Sequence, residues 1–329
     1  MHLGGLRPTL EPISASPSEA VRLVGAAGRR LVASGIPWGA EQAQGLAEGV
    51  RTGRLDGRVW IGPKDEGAAL AVWEPGVPAG RRAFVYLDDG FRTPRLLGGF
   101  VDRLRGEPGA TPLVSVLDPV PAMPDAEVDA VLAARGFERL LRIDLSYPAV
   151  APLPSAPEVA GVRNLRRDDA EGVARILREG YEDNPGDRAL FRFELDALDD
   201  SRHAVRQLFE GGVGQFWPEA SFAVPDPAAP DRLLAVTVVC DLKGPLLAEV
   251  IVAPDGRRRG FARRLVQESL RAVRARTAEP LRLVVTLRNR RAYRLYDSLG
   301  FVRLEATLGG PWVHPGELGV SSLDPPFDL

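Results

Sequence analysis

A Gly-Phe-x-Arg-Leu motif in the middle of the chain returns near its end. Ala134-Arg135-Gly136-Phe137-Glu138-Arg139-Leu140 and Ser298-Leu299-Gly300-Phe301-Val302-Arg303-Leu304 lie at an offset of 164 in a chain of 329 residues. Each copy follows a segment with helical spacing and opens a strand-like one. An offset of half the length, with one order of elements on either side, predicts one fold used twice. Length agrees, because a domain typically takes roughly 100–200 residues.

The seam between the copies is Ser146–Ala160, where Pro148, Pro152, Pro154 and Pro157 alternate with small residues. Such a stretch cannot continue a helix and is expected to act as a semi-rigid spacer. The expected division is therefore a domain at 1–145, a Pro/Ala-rich linker at 146–160 and a second domain at 161–329.

The second half is the easier to read. Val162–Leu165 is a short strand. Asp168 or Asp169 caps a helix to about Glu179, with Val173, Ile176 and Leu177 as its apolar stripe. Tyr181–Gly214 is an acidic, mixed stretch of helices and loops. Ser221–Val224, Leu233–Cys240 and Leu246–Val252 read as strands, the last two joined by a turn-rich link of hairpin length. Ala262, Leu265, Val266, Ser269, Leu270 and Val273 form one helical face. Leu281–Leu287 is a buried-type strand, Arg290–Leu299 a short helix and Phe301–Leu308 a last strand. The first half follows the same order. A helix opens at Ser16-Pro17, and strands fall at Val59–Ile61, Ala68–Trp73 and Ala83–Leu87. A helix at Leu96–Arg105, a strand at Leu113–Leu117, a helix at Glu127–Ala134 and a strand at Glu138–Leu145 complete it.

Composition narrows the function classes. The net charge of −2 offers no basic field for nucleic acid. All but two of the 42 basic residues are arginine, a bias of composition. Cys240 is the lone cysteine, which excludes an intrachain disulfide, and its apolar run reads as a core strand. No apolar run approaches the ~20 residues that span a bilayer, and the first residues lack a signal-peptide stretch, so the cytoplasm is the simplest location. His2, His203 and His314 are too scattered to suggest a metal site.

Chemistry concentrates at Glu249–Arg264. A strand ending Val252-x-Pro254 leads through Arg257-Arg258-Arg259-Gly260-Phe261-Ala262 into a helix. A turn of this kind leaves several amides unpaired at the positive end of the helix, a setting for phosphate. Neither a Walker loop nor a Gly-x-Gly-x-x-Gly fingerprint is present.

This segment resembles the GCN5-related N-acetyltransferase superfamily. That family's Arg/Gln-x-x-Gly-x-Gly/Ala pattern is filled by Arg257, Gly260 and Ala262. Its second element is matched by Asn289-x-x-Ala292-x-x-Leu295-Tyr296-x-x-x-Gly300-Phe301, and its opening strand and helix by Val162–Ala170. The resemblance covers Gly161 to about Leu308. It implies an α/β (α+β) fold: two tandem domains, each a mixed, mainly antiparallel twisted sheet flanked by helices. It implies acetyl-coenzyme A as donor, the pyrophosphate held by backbone amides from Arg258 through Arg259, Gly260, Phe261 and Ala262 to Arg263. It also implies that Val250, Ile251 and Val252 pair with the pantetheine arm, where family sheets splay, and that Asn289, which also reads as a helix N-cap, bonds to the cofactor.

Tyr296 holds the family's position for the acid. A tyrosine, with a reference pKa near 10, still carries its proton at neutral pH and can give it to a departing thiolate. Tyr296 also lies on one stripe with Ala292, Leu295 and Leu299, as a core residue does. Glu249 matches a frequent family position for the base; a paired strand carboxylate is the plain alternative. The acidic run from Glu179 to Asp200, with Glu182, Asp183, Asp187, Glu194, Asp196 and Asp199 set against Arg188 and Arg192, would favour a cationic small-molecule amine as acceptor.

Carried to the first half at the same offset, Tyr296 falls on Leu132 and Asn289 on Asp125. Phe91-Arg92-Thr93-Pro94 stands where the phosphate turn is expected. Arg95-x-x-Gly98 matches in part, but Phe100 replaces the small residue. The first half therefore reads as a copy without catalysis, and the second as the N-acetyltransferase working by direct attack in a ternary complex. A non-catalytic acyl-coenzyme A-binding or interaction protein is the rival reading.

Overall fold

The computed structural model describes residues 12–14, 48–53, 55–61, 68–73, 82–87, 93–106, 116–120, 126–182, 184–191, 195, 197–308 and 310–315. The helix expected at Ser16-Pro17, Asp125, Phe91-Arg92 and the tail beyond 315 lie outside these residues. No described helix is long and apolar enough to cross a membrane.

The described residues fall into two units. One holds those up to Leu141 together with 308–315, the other those from Arg142 to Thr307. The elements of the first are β1 (Pro12–Ser14), β2 (Asp56–Ile61), β3 (Ala68–Trp73), β4 (Arg82–Leu87), α1 (Pro94–Gly106), β5 (Val116–Val120), α2 (Ala126–Ala133) and β6 (Glu138–Arg139). The second begins with β7 (Arg142–Tyr147) and β8 (Arg163–Asn164). Then come α3 (Ala170–Tyr181), α4 (Pro185–Leu190), α5 (Leu198–Glu210), β9 (Gln215–Phe216) and β10 (Phe222–Asp226). It continues with β11 (Ala229–Asp241), β12 (Pro245–Val252), α6 (Phe261–Arg276), β13 (Leu281–Thr286), α7 (Arg290–Leu299) and β14 (Val302–Leu308). The last described strand is β15 (Trp312–Val313).

The two sheets share one order. The first runs β1-β2-β3-β4-β5-β15-β6, and the second, read from its other edge, β8-β10-β11-β12-β13-β7-β14. In each, four antiparallel strands meet a fifth in parallel, and an antiparallel strand fills the slot before the last. The fold is therefore one mixed, mainly antiparallel architecture used twice.

The slot-filling strands are exchanged along the chain. β7 follows β6 in sequence but pairs with β13, and β15 follows β14 but pairs with β5 and β6. The single strand expected at Glu138–Leu145 is thus two strands in two sheets. The boundary between the units falls at 141/142, against the expected 145, and the first unit is completed from beyond residue 308.

The repeated motif is a helix stop. Gly136 and Gly300 take left-handed φ of 81° and 95°, which glycine adopts without steric cost. The next amide then reaches back five residues: Phe137 N–H to the Leu132 carbonyl at 3.1 Å, Phe301 N–H to the Tyr296 carbonyl at 3.0 Å. That is the Schellman closure, and both phenylalanines are buried behind it.

The proline-rich stretch is docked within the second unit along α6. Proline removes donors but leaves its carbonyls free. Gln267 donates to the Pro154 carbonyl, Arg274 to those of Pro148 and Ala151, and Tyr147 to that of Pro152. Ser146 and Tyr147 belong to β7. The stretch expected as a semi-rigid spacer is held as a strap, because α6 supplies donors to its carbonyls.

In the first unit, Leu132 is 1% exposed and packs with Leu97, Phe100, Leu104 and Trp312. Arg95, Gly98 and Phe100 lie inside α1. Leu132→Ala is expected to lower stability by about 2–5 kcal/mol in urea unfolding. A loss well under about 1 kcal/mol would remove Leu132 from the core.

Candidate active site

The decisive geometry is a gap in the second sheet. β12 and β13 run parallel and pair at one position, Leu246 with Arg282, near the start of both. Beyond it they diverge, so the edge of β12 from Glu249 to Val252 that faces β13 has no partner among the described strands. In the first unit β4 and β5 stay paired over five positions, Arg82–Tyr86 against Val116–Val120. The gap exists in one copy and is closed in the other.

Three elements converge on the gap. β12 brings Glu249, directly after a bulge at Ala248: Val238 pairs with Glu249 and Val239 with Leu247. A bulge turns the following side chain and adds twist. α3 brings Tyr181, whose hydroxyl donates to Glu249 Oε2 at 2.9 Å. α7 brings Tyr296, 7% exposed and edge-on to Phe301 at 5.6 Å between ring centroids. Among the described residues nothing hydrogen-bonds to the Tyr296 hydroxyl.

Burial, then the charges of Glu249 and Asp187, raise both tyrosines above the ordinary phenol range. Both hydroxyls thus keep their protons through neutral pH. Cys240 on β11 is fully buried, and burial with the Glu249 charge pushes its thiol up to about 12. It is a core residue, as expected, and no nucleophile.

A buried carboxylate ties the elements together. Asp187 on α4 is 5% exposed, and Oδ2 accepts from Asn289 Nδ2 at 2.6 Å and Asn184 Nδ2 at 2.7 Å. Burial raises its pKa; hydrogen bonds from Thr286, Asn289 and Asn184 act the other way. Asn289 Oδ1 also caps α7 by accepting from the Ala292 amide at 3.0 Å. The structure thus commits the Asn289 side chain to Asp187 and to its own helix.

The turn after β12 has the form of an anion cradle. Arg258 and Gly260 both take left-handed φ, 62° and 81°. Such alternation directs successive amides to one side. Among the described residues, no hydrogen bond engages the amides of Arg258, Arg259, Gly260, Phe261, Ala262 or Arg263. The arginine side chains turn elsewhere. Arg257 donates to the Gly180 carbonyl at 3.0 Å, Arg259 lies over the Phe261 ring at 4.7 Å, and Arg263 reaches Ser298. The donors this turn presents are those of the backbone. Val250 and Val252 are half-buried, while Ile251 packs into the α3 core.

Two described carboxylates of the acidic run are paired with arginines, Glu179 with Arg232 and Asp199 with Arg202. An open cavity of about 400 Å³ beside α3 is lined by Arg175, Arg178, Arg188, Glu179, Glu182 and two leucines. Asp183, Arg192, Glu194 and Asp196 lie outside the described residues.

The sequence comparisons fall on the same segment. A family model described as FR47-like protein matches residues 231–308, from β11 to β14. No curated protein matches the chain. The solved structure of a GCN5-related N-acetyltransferase from Sphaerobacter thermophilus matches with a TM-score of 0.53 at 15% identity, covering 98% of this chain and 99% of that one. The fold is that of the GCN5-related N-acetyltransferases. A conserved Enterococcus faecalis protein of unknown function, described as a probable N-acyltransferase, shares this fold. It matches with a TM-score of 0.50 at 8% identity, over 93% of this chain and 73% of that one. The splayed β12/β13 pair and the turn before α6 carry the Val-x-Pro and Arg-x-x-Gly-x-Ala motifs of the sequence.

Sequence reasoning did not find Tyr181 or the Asp187–Asn289 tie. Asn184-Pro185 carried a signal for the latter, since Asn before Pro is a helix start. Asn184 does accept from the Asp187 amide at 3.2 Å.

Proposed function

We propose that the second unit is an acetyl-coenzyme A-dependent N-acetyltransferase acting on a primary amine of a small molecule by direct attack in a ternary complex. The observation that carries this reading is the gap between β12 and β13, with Glu249 and Tyr296 beside it and the unpaired amides of Arg258–Arg263 at its end. The first unit, with β4 and β5 paired and leucine in the tyrosine's place, is read as a non-catalytic copy.

The amides of Arg258–Arg263 suit a pyrophosphate, and the open edge of Val250–Val252 suits the amide groups of a pantetheine arm. Acetyl-coenzyme A supplies the acyl group as a thioester. Glu249 takes the proton that the attacking nitrogen must lose. Tyr296, kept protonated, holds a proton for the leaving sulfur, whose thiol has a reference pKa near 8.5. Asn289 is read as a strut that fixes α7, and so Tyr296, against Asp187.

Tyr296→Phe keeps the ring and deletes the hydroxyl. It is expected to lower kcat by about a hundredfold or more while leaving the Kd for coenzyme A unchanged. Turnover equal to wild type would remove Tyr296 as the acid.

A further inference from the structure

Tyr181 ends α3, leans on Phe191 at 5.2 Å between ring centroids and donates its hydroxyl to Glu249 across 68 residues of sequence. A donor to a carboxylate favours its ionised form and fixes its orientation. Glu249 is half-buried, which disfavours its charge. Among the groups that face it are Tyr181 from α3, Cys240 from β11 and Tyr296 from α7, while Asp187 from α4, itself beside the Arg142 charge, faces both tyrosines. Asp187 adds like charge to this cluster, and the Cys240 thiol is a weak donor.

We propose that Tyr181 is a positioning residue whose hydroxyl holds Glu249 ionised and oriented to accept the acceptor's proton. This rests on Glu249 being the base. Loss of the hydroxyl raises the pH at which Glu249 ionises, so the base is available only in more alkaline solution.

The test is Tyr181→Phe with two readouts. One is the midpoint of the Glu249 carboxylate in the ligand-free protein, followed by NMR on ¹³C-labelled glutamate. The other is the acid limb of kcat/KM against pH. Both are expected to move up by about one pH unit, a tenfold shift in ionisation. The deficit is then greatest in acid and shrinks in alkali. A purely structural role would scale activity down at every pH and leave the midpoint in place. An unmoved midpoint overturns the proposal for Tyr181 and leaves Glu249 as base. A midpoint that moves while the acid limb stays overturns Glu249 as base, and the role of Tyr181 with it.

Discussion

Glu249→Gln is expected to lower kcat by about 10²–10⁴-fold, the usual contribution of a positioned general base. The substitution keeps the size of the side chain and removes its capacity to take a proton. The amide can still accept from Tyr181, so the fold and the β12 edge are expected to persist. The Kd for coenzyme A is therefore expected to stay within about twofold of wild type, under about 0.5 kcal/mol. The loss should also depend on pH. An amine acceptor that is already deprotonated needs no base before attack and sheds only the proton that attack makes acidic, so the deficit is expected to narrow above the acceptor's own pKa. Steady-state kinetics from neutral to alkaline pH check both points. A variant as active as wild type at neutral pH would return Glu249 to the plain role of a strand carboxylate.

Gly260→Val is expected to weaken coenzyme A binding by at least about a hundredfold, roughly 2.7 kcal/mol. Two observations lead there. Gly260 sits at φ 81°, which a β-branched residue adopts only under strain of about 1–3 kcal/mol. A Cβ at this position would also meet Pro157 Cγ at 2.6 Å, so the strap must shift as well. Either response redirects the amides from Arg258 to Arg263. Arg258→Gly is the matched control. It removes a cation but suits the left-handed φ of 62° that Arg258 already holds. If the backbone is the binding element, this variant binds coenzyme A nearly as well as wild type. Isothermal titration of both variants decides. Tight binding by Gly260→Val would detach the turn from the cofactor, and a large loss in Arg258→Gly would shift the role to the side chain.

What was legible in the sequence follows from which interactions are local. The Gly-Phe stop is a feature of a few consecutive residues, and it marked both copies at their true positions. The turn from Arg257 to Ala262 and the α6 stripe are also local, and both elements stand where the sequence puts them. The stretch Glu138–Leu145 misled for the same reason. It alternates like one strand, although Leu140 and Leu141 separate β6 of the first sheet from β7 of the second. Nothing in the local pattern reports a strand's partner. The bulge at Ala248 and the contacts of Tyr181 and Asp187 are set by packing across 68 and 102 residues, beyond the reach of periodicity. Counting the carboxylates of the acidic run leaves out the arginines folded against them, as Arg202 against Asp199 and Arg232 against Glu179.

The central claim is that the second unit transfers an acyl group from coenzyme A to an amine. The most direct measurement is the release of free thiol from acetyl-coenzyme A by the full chain, with and without a panel of primary amines of both charge types. The account predicts amine-dependent thiol release, with the acetylated amine appearing in equal amount and both lost in Glu249→Gln. Coenzyme A binding with no amine-dependent release across the panel would contradict it and leave an acyl-coenzyme A-binding protein in its place.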